Sequence, residues 1–208
     1  MRSVEFVHQR AAFGRRVEVL AYHLAALLPP NARVLDVGCG DGSVAEAVMQ
    51  LRRDLEVSGL DVLVRPATRI AVEPFDGETI PFVADSFDAI MLVDVLHHTH
   101  DQLHLLREAA RVARHSIVIK DHLADGLLAR QRLRVMDWFG NAHHGVALTY
   151  RYWSRREWEQ AFARLGTPVD VWITKLPLYP APISLAFGRG LHVVCRLAVE
   201  RREHAGTG

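Results

Sequence analysis

The sequence predicts an α/β fold, a doubly wound and mostly parallel sheet with helices on both faces. Three observations carry this. Residues 33–51 read as a strand, a glycine turn and a helix. Short apolar runs and helical patterns then alternate as far as Asp121. The run Ile90-Met91-Leu92-Val93 is apolar throughout, as in a parallel strand covered on both sides.

Each element has its own signal. Phe13, Val17, Leu20, Leu24 and Leu27 recur at helical spacing, and Pro29-Pro30 ends them. Residues 1–30 therefore hold an N-terminal helix packed on the sheet. Val34, Leu35 and Val37 make a first strand, followed by Gly38, Gly40 and Gly42 and by the helix SVAEAVMQL. LEVSGLDV is a second strand ending at Asp61. VLVRPATRI contains a proline and allows only a short helix. IAVEPF is a third strand, closed by Asp76-Gly77, and Asp94 closes the fourth. HDQLHLLREAARVA is a helix with Leu103, Leu106, Ala110 and Ala113 on one stripe, and SIVIKD is the fifth strand. After Asp121 a helix and an aromatic, histidine-bearing loop form a lid-like insertion over 122–150. Ser154 to Glu157 is a capping box that opens a helix. VDVWITK and LHVVCRLAVE are the last two strands.

Composition bounds the function. The 208 residues suit a single domain over 1–208. With 25 basic and 24 acidic residues, a net charge of +1 gives no electrostatic case for nucleic acid. The two cysteines, Cys39 and Cys195, form no CxxC and need no disulfide, which points to a reducing, cytoplasmic setting. The N-terminus has no apolar signal core, and no apolar run is long enough to span a membrane. The C-terminal strands offer an edge for a homodimer.

The stretch RVLDVGCGDG carries the chemistry. Glycines let the backbone turn tightly and let a ligand approach the main chain. Dinucleotide enzymes space them G-x-G-x-x-G, with a pyrophosphate on the helix N-terminus. Here the spacing is G-x-G-x-G, and the strand end carries Asp36. That acidic loop suits a cationic ligand better than a diphosphate. Asp61 lies 23 residues beyond Gly38, at a strand end, placed for a ribose hydroxyl pair. VLDVGCGDG resembles motif I of class I S-adenosylmethionine-dependent methyltransferases, and TIPFVADSFDAIMLVDVLHH resembles the pattern that the family carries around its fourth strand. The likeness covers residues 30–120 and favours the small-molecule branch.

The resemblance implies a Rossmann-like, seven-stranded sheet whose last strand is antiparallel. It implies S-adenosyl-L-methionine as cofactor and S-adenosyl-L-homocysteine as product. Asp36, Gly38, Cys39 and Gly40 would hold the methionine part, Asp61 with Val62 the ribose, Asp76 and Gly77 the adenine, and Asp94 and Val95 the sulfonium end. The broken helix after the second strand departs from the family at the adenine wall. The acceptor would be a small molecule, an O-, C- or N-nucleophile with an aromatic or lipid-like body.

Methyl transfer from a sulfonium is an in-line displacement with a neutral leaving group, so alignment and water exclusion matter most. A hydroxyl or carbon acid also needs a base, and His122 and His98 stand at strand ends where one is wanted. The loop offers Trp138, Asn141, His143, His144 and Tyr150 to an acceptor. His97, His98, His100 and His104 lie close in sequence, with His100 and His104 on one helix face, but the set has no HExxH and no cysteine, so no metal is expected. The alternative is a methyltransferase-like cofactor-binding or scaffold subunit. A nicotinamide-dependent oxidoreductase is disfavoured by the glycine spacing.

Overall fold

A computed structural model describes residues 2–141, 149–181, 183–188 and 190–199; of these, the side chains at 2–13, 139–141 and 186 lie outside the description. The helices are α1 (Arg2–Leu27), α2 (Ser43–Leu51), α3 (Gln102–Val112), α4 (Ala129–Asn141), α5 (Arg155–Leu165) and α6 (Ile183–Phe187). The strands are β1 (Arg33–Val37), β2 (Glu56–Asp61), β3 (Val72–Pro74), β4 (Phe87–Val93), β5 (Ala113–His122), β6 (Val169–Ile173) and β7 (His192–Ala198). They form one seven-stranded sheet in the order β3-β2-β1-β4-β5-β7-β6. β1 to β5 pair in parallel, and β7 runs antiparallel to both β5 and β6. The predicted fold class holds.

Period-two alternation along each strand builds two core layers. Ala89 and Met91 of β4 face α1 and α2, joining Leu20, Leu24, Val34, Val48 and Val118. Ile90 and Leu92 face the other way, toward Leu105, Leu106 and Ala109 of α3 and Trp158 and Phe162 of α5. The strand order reverses between β1 and β4, so a crevice opens beyond their carboxyl ends. Val37, Asp61 and Val93 end their strands at that rim.

Several expectations need correction. No helix forms between β2 and β3; residues 62–71 bend past Pro66 instead. β3 is three residues long, an edge strand where Pro74 is tolerated. The buried apolar residues of α3 are Leu105, Leu106, Ala109 and Val112, so Leu106 of the predicted stripe is buried in the helix while Leu103 and Ala110 are only partly so. The Asp101 side chain accepts from His104 N, so the helix starts at Gln102, and Ala113, buried as expected, already belongs to β5. His100 therefore precedes the helix and shares no helical face with His104. The predicted capping box is present, with Ser154 N donating to Glu157 Oε2 at 2.7 Å.

Candidate active site

The glycine turn after β1 is held from two sides. Gly38 N and Cys39 N donate to Leu60 O of β2, at 2.7 and 3.1 Å. Gly40 N donates to Asp61 Oδ2 at 2.7 Å, and Leu63 N to Asp61 Oδ1 at 2.8 Å. Gly38 and Gly40 have φ of 75° and 60°, in the left-handed region. A Cβ on Gly38 would lie 2.4 Å from Cγ2 of Val95, so the turn packs directly on the segment after β4. A Cβ on Gly40 would meet nothing within 4 Å; that space is open to a ligand. The N-terminus of α2 is taken by Asp41, which accepts from Ser43 N at 3.0 Å and Ser43 Oγ at 2.7 Å. A diphosphate would meet that carboxylate.

A cleft of about 740 Å³ opens above this turn. Gly38, Gly40, Asp61 and Val62 line it from β1 and β2, Asp76 and Gly77 from the loop after β3. Asp94, Val95 and His98 line it from the loop after β4, with His100 and His104 farther along the rim. Two predicted cofactor residues stand apart. Asp36 lies buried in β1, and its Oδ1 has no partner among the described residues. Burial, reinforced by Asp61, raises its pKa to about 7. Cys39 turns toward Gly59, whose Cα approaches its Sγ so closely that a Cβ would sit 2.4 Å away. Asp76 folds its carboxylate back onto Glu78 N and Thr79 N, at 2.8 and 2.7 Å, and those bonds hold its pKa down.

Behind the cleft lies a buried polar centre at the carboxyl ends of β4 and β5. His97 Nδ1 is 2.6 Å from Asp121 Oδ1, which also accepts from His122 N at 2.7 Å. His97 Nε2 faces Asp137 Oδ1 of α4 at 3.6 Å, and Tyr152 Oη donates to the other Asp137 oxygen. His122 Nδ1 approaches His97 Nδ1 to 3.2 Å. Asp94, in the left-handed region with φ 57°, accepts from Arg16 of α1 and from the buried Lys120 of β5. Burial opposes charge on His97, yet Asp121 and Asp137 overcome it and push its pKa up to about 10. Burial and the neighbouring His97 push His122 down to about 4. Asp121 and Asp137 thus favour the protonated form of His97, while burial and His97 favour the neutral form of His122. The carboxylates of Asp94, Asp121 and Asp137 are matched by Arg16, Lys120 and His97.

The sequence reading placed His122 at the pocket mouth. The structure puts it in this buried centre, 4% exposed, because β5 extends to include it and β7 pairs alongside, His122 opposite His192. Asp94 reaches the cleft, but its carboxylate already serves two cations. Arg16 went unread, since nothing in a sequence tells which exposed-looking arginine of a long helix will meet an acid 78 residues away. Asp94, His97, Asp121 and His122 bring one ligand atom each within 4.8 Å of one another, as do His97, His98 and Asp137; of the four histidines weighed from the sequence, these groups hold His97 and His98. Trp138 is 55% exposed on α4, and Tyr150, half-buried, packs beside Tyr152 under Arg134. The Asn141 side chain, His143 and His144 lie outside the described residues.

A family model described as a methyltransferase domain matches residues 6–169. The 27-O-demethylrifamycin SV methyltransferase of Amycolatopsis mediterranei (strain S699) is 33% identical over 110 residues, 46% of this chain and 40% of that protein. A ubiquinone biosynthesis O-methyltransferase of Xanthomonas campestris pv. campestris (strain B100) is 33% identical over 103 residues, 44% of this chain and 42% of that protein. The alignments therefore span less than half the length of these relatives. Among solved structures, geranyl diphosphate methyltransferase in complex with SAM superposes with a TM-score of 0.67 at 16% identity, over 88% of this chain and 85% of that one. An S-adenosylmethionine dependent methyltransferase from Mesorhizobium loti gives 0.61 at 20% identity, over 85% and 95%. No helix among the described residues is long and apolar enough to cross a membrane. With the family model matching most of its length and the sheet carrying its glycine turn at the switch point, this chain belongs to the methyltransferase-domain family and has the class I methyltransferase fold.

Proposed function

We propose that the chain binds S-adenosyl-L-methionine in the cleft above Gly38 and Gly40 and transfers its methyl group to a small-molecule nucleophile. The observation that carries this is Asp36. Its buried oxygen has no described partner, its pKa is raised, and it lies beneath a glycine cradle open to a ligand. An ammonium seated there would satisfy the orphaned oxygen and favour the carboxylate. Asp61 would meet the ribose while continuing to hold Gly40, with Val62 and Gly77 along the adenosine edge and Asp76 fixing the turn there. Cys39 would brace the loop against β2 through Gly59.

Bound in this way, the cofactor supplies an electrophilic methyl on a sulfonium whose sulfide leaves neutral, so no acid is needed. The chain aligns the acceptor, excludes water and takes the acceptor's proton. Val95 sets the wall beside the turn. His98 lines the cleft and is placed to accept a proton from a hydroxyl. His122, buried beside His97, is too enclosed to touch an acceptor and would act by positioning His97. Trp138, Tyr150, Asn141, His143 and His144 belong to the acceptor side. The relatives named for rifamycin and ubiquinone precursors support an oxygen nucleophile on a bulky, largely apolar molecule.

Titration calorimetry with S-adenosyl-L-homocysteine tests the reading. Saturable binding that Asp36→Asn weakens is expected; no heat and no thermal shift with the wild type would overturn it.

A further inference from the structure

One surface lies outside the cleft and the buried centre and shares only Trp138 with the proposed acceptor side. Before α4, Leu127 is 91% and Leu128 57% exposed; on α4, Val135 is 46% and Trp138 55% exposed. Val135 and Trp138, three residues apart, fall on one side of α4, and Leu127 lies in the turn just before it. α6 packs against α4, with Arg132 Nη2 donating to Leu185 O at 3.4 Å, and adds Ile183 and Leu185 at 44% and 58% exposed. A solvated helix face would carry mixed charges in such places.

The charges of this surface are mostly basic, with Asp125 and Glu157 at its edge. From Gly126 to Trp138 the chain has Arg130, Arg132 and Arg134 and a single acid, Asp137, which is buried against Tyr152 and His97. From Val171 to Val199 it has no acid at all. At the edge Glu157 of α5 pairs with Arg130 at 3.2 Å, and Arg134 lies over Tyr150. Leucines, a tryptophan and an excess of arginines over acids are the composition of a surface that lies in a lipid headgroup layer. A second copy of the chain fits less well, because a two-fold contact on this face would set arginine against arginine.

We propose that this face docks on a bilayer surface of anionic phospholipid, with Leu127, Val135, Trp138 and Leu185 in the headgroup–acyl boundary and the arginines against lipid phosphates. Docking of this kind needs no spanning helix, and it does not depend on methyl transfer. It would place the acceptor side of the molecule at the membrane.

Flotation of the whole protein with vesicles tests it. Vesicles of phosphatidylcholine and phosphatidylglycerol should carry the protein up the gradient, pure phosphatidylcholine much less, and added salt should reduce the effect. Leu127→Glu with Leu185→Glu should weaken partitioning by about tenfold or more, with the thermal midpoint unchanged because both side chains face solvent. Leu127→Ser serves as a milder second variant. Failure of the wild type to float with anionic vesicles, or equal flotation of the folded double variant, would overturn the proposal. So would a wild-type dimer in sedimentation that Leu127→Glu dissociates, since a second copy would then cover the face.

Discussion

His97 Nδ1 stands 2.6 Å from Asp121 Oδ1, with both side chains buried at the carboxyl ends of β4 and β5. The contact joins the loop that walls the cleft to β5, and the other ring nitrogen of His97 faces Asp137 of α4. Its energetics follow from what each residue would be without the other. An unpaired carboxylate at this depth costs several kcal/mol, and so does an unpaired imidazolium. His97→Gln should therefore destabilise the protein by about 3–5 kcal/mol in chemical denaturation. Equal stability of wild type and variant would mean the pair contributes nothing.

The same pair sets a pH dependence. Folding raises the His97 pKa from 6.5 to about 10, so folding favours the protonated form. Its contribution is complete below pH 6.5 and is lost as pH rises toward 10. Denaturation midpoints of the wild type should fall across that window, and His97→Gln should flatten the slope. A wild-type midpoint constant over the window would show that His97 is neutral when folded.

Asp36 shifts stability in the same direction over a lower pH window. Its folded pKa is raised from 3.8 to about 7, so without ligand the protein loses stability as pH rises between those values. A cationic ligand on the orphaned oxygen favours the carboxylate and expels the proton. Binding at pH 6 should therefore release protons, read as a dependence of calorimetric heat on the buffer's ionisation enthalpy. Asp36→Asn should abolish that dependence. Binding heats identical in all buffers for the wild type would place the ligand's charge elsewhere.

Asp61 was read from the sequence as a ribose ligand, and the structure gives it a second task, holding Gly40 N and Leu63 N. Asp61→Ala should weaken cofactor-product binding by roughly 1.5–3 kcal/mol. It should also raise amide exchange at Gly40, which a purely ligand-facing carboxylate would leave alone. Unchanged affinity would mean that ribose is bound by other groups.

What the sequence disclosed and what it withheld divide along a physical line. Strand ends are local: alternation, glycine turns and terminal acids mark Gly38, Asp61, Asp76, Asp94 and Asp121 without knowledge of neighbours; the first four line the cleft and Asp121 lies buried behind it. Partners are not local. Arg16 meeting Asp94, Lys120 buried beside it, and Asp137 reaching back from α4 to His97 depend on how layers stack. The His122 reading failed for this reason. A strand-end histidine looks poised for solvent until β7 is laid against it.

Gly38 offers a test of how the turn and the segment after β4 were fitted together. At φ 75° an alanine is strained by about 1–2 kcal/mol, whatever its surroundings. Its Cβ would also press on both γ-methyls of Val95, at 2.4 and 2.9 Å. Gly38→Ala should therefore cost more than the backbone strain and displace Val95, with cofactor-product affinity reduced at least tenfold if the wall is part of the site. Val95→Ala removes the clash and leaves the strain. The double variant Gly38→Ala with Val95→Ala should recover part of the stability lost in Gly38→Ala, leaving a deficit close to the strain energy. Fully additive losses in the double-mutant cycle would show that the two residues are uncoupled. The contact would then play no part in shaping the cleft.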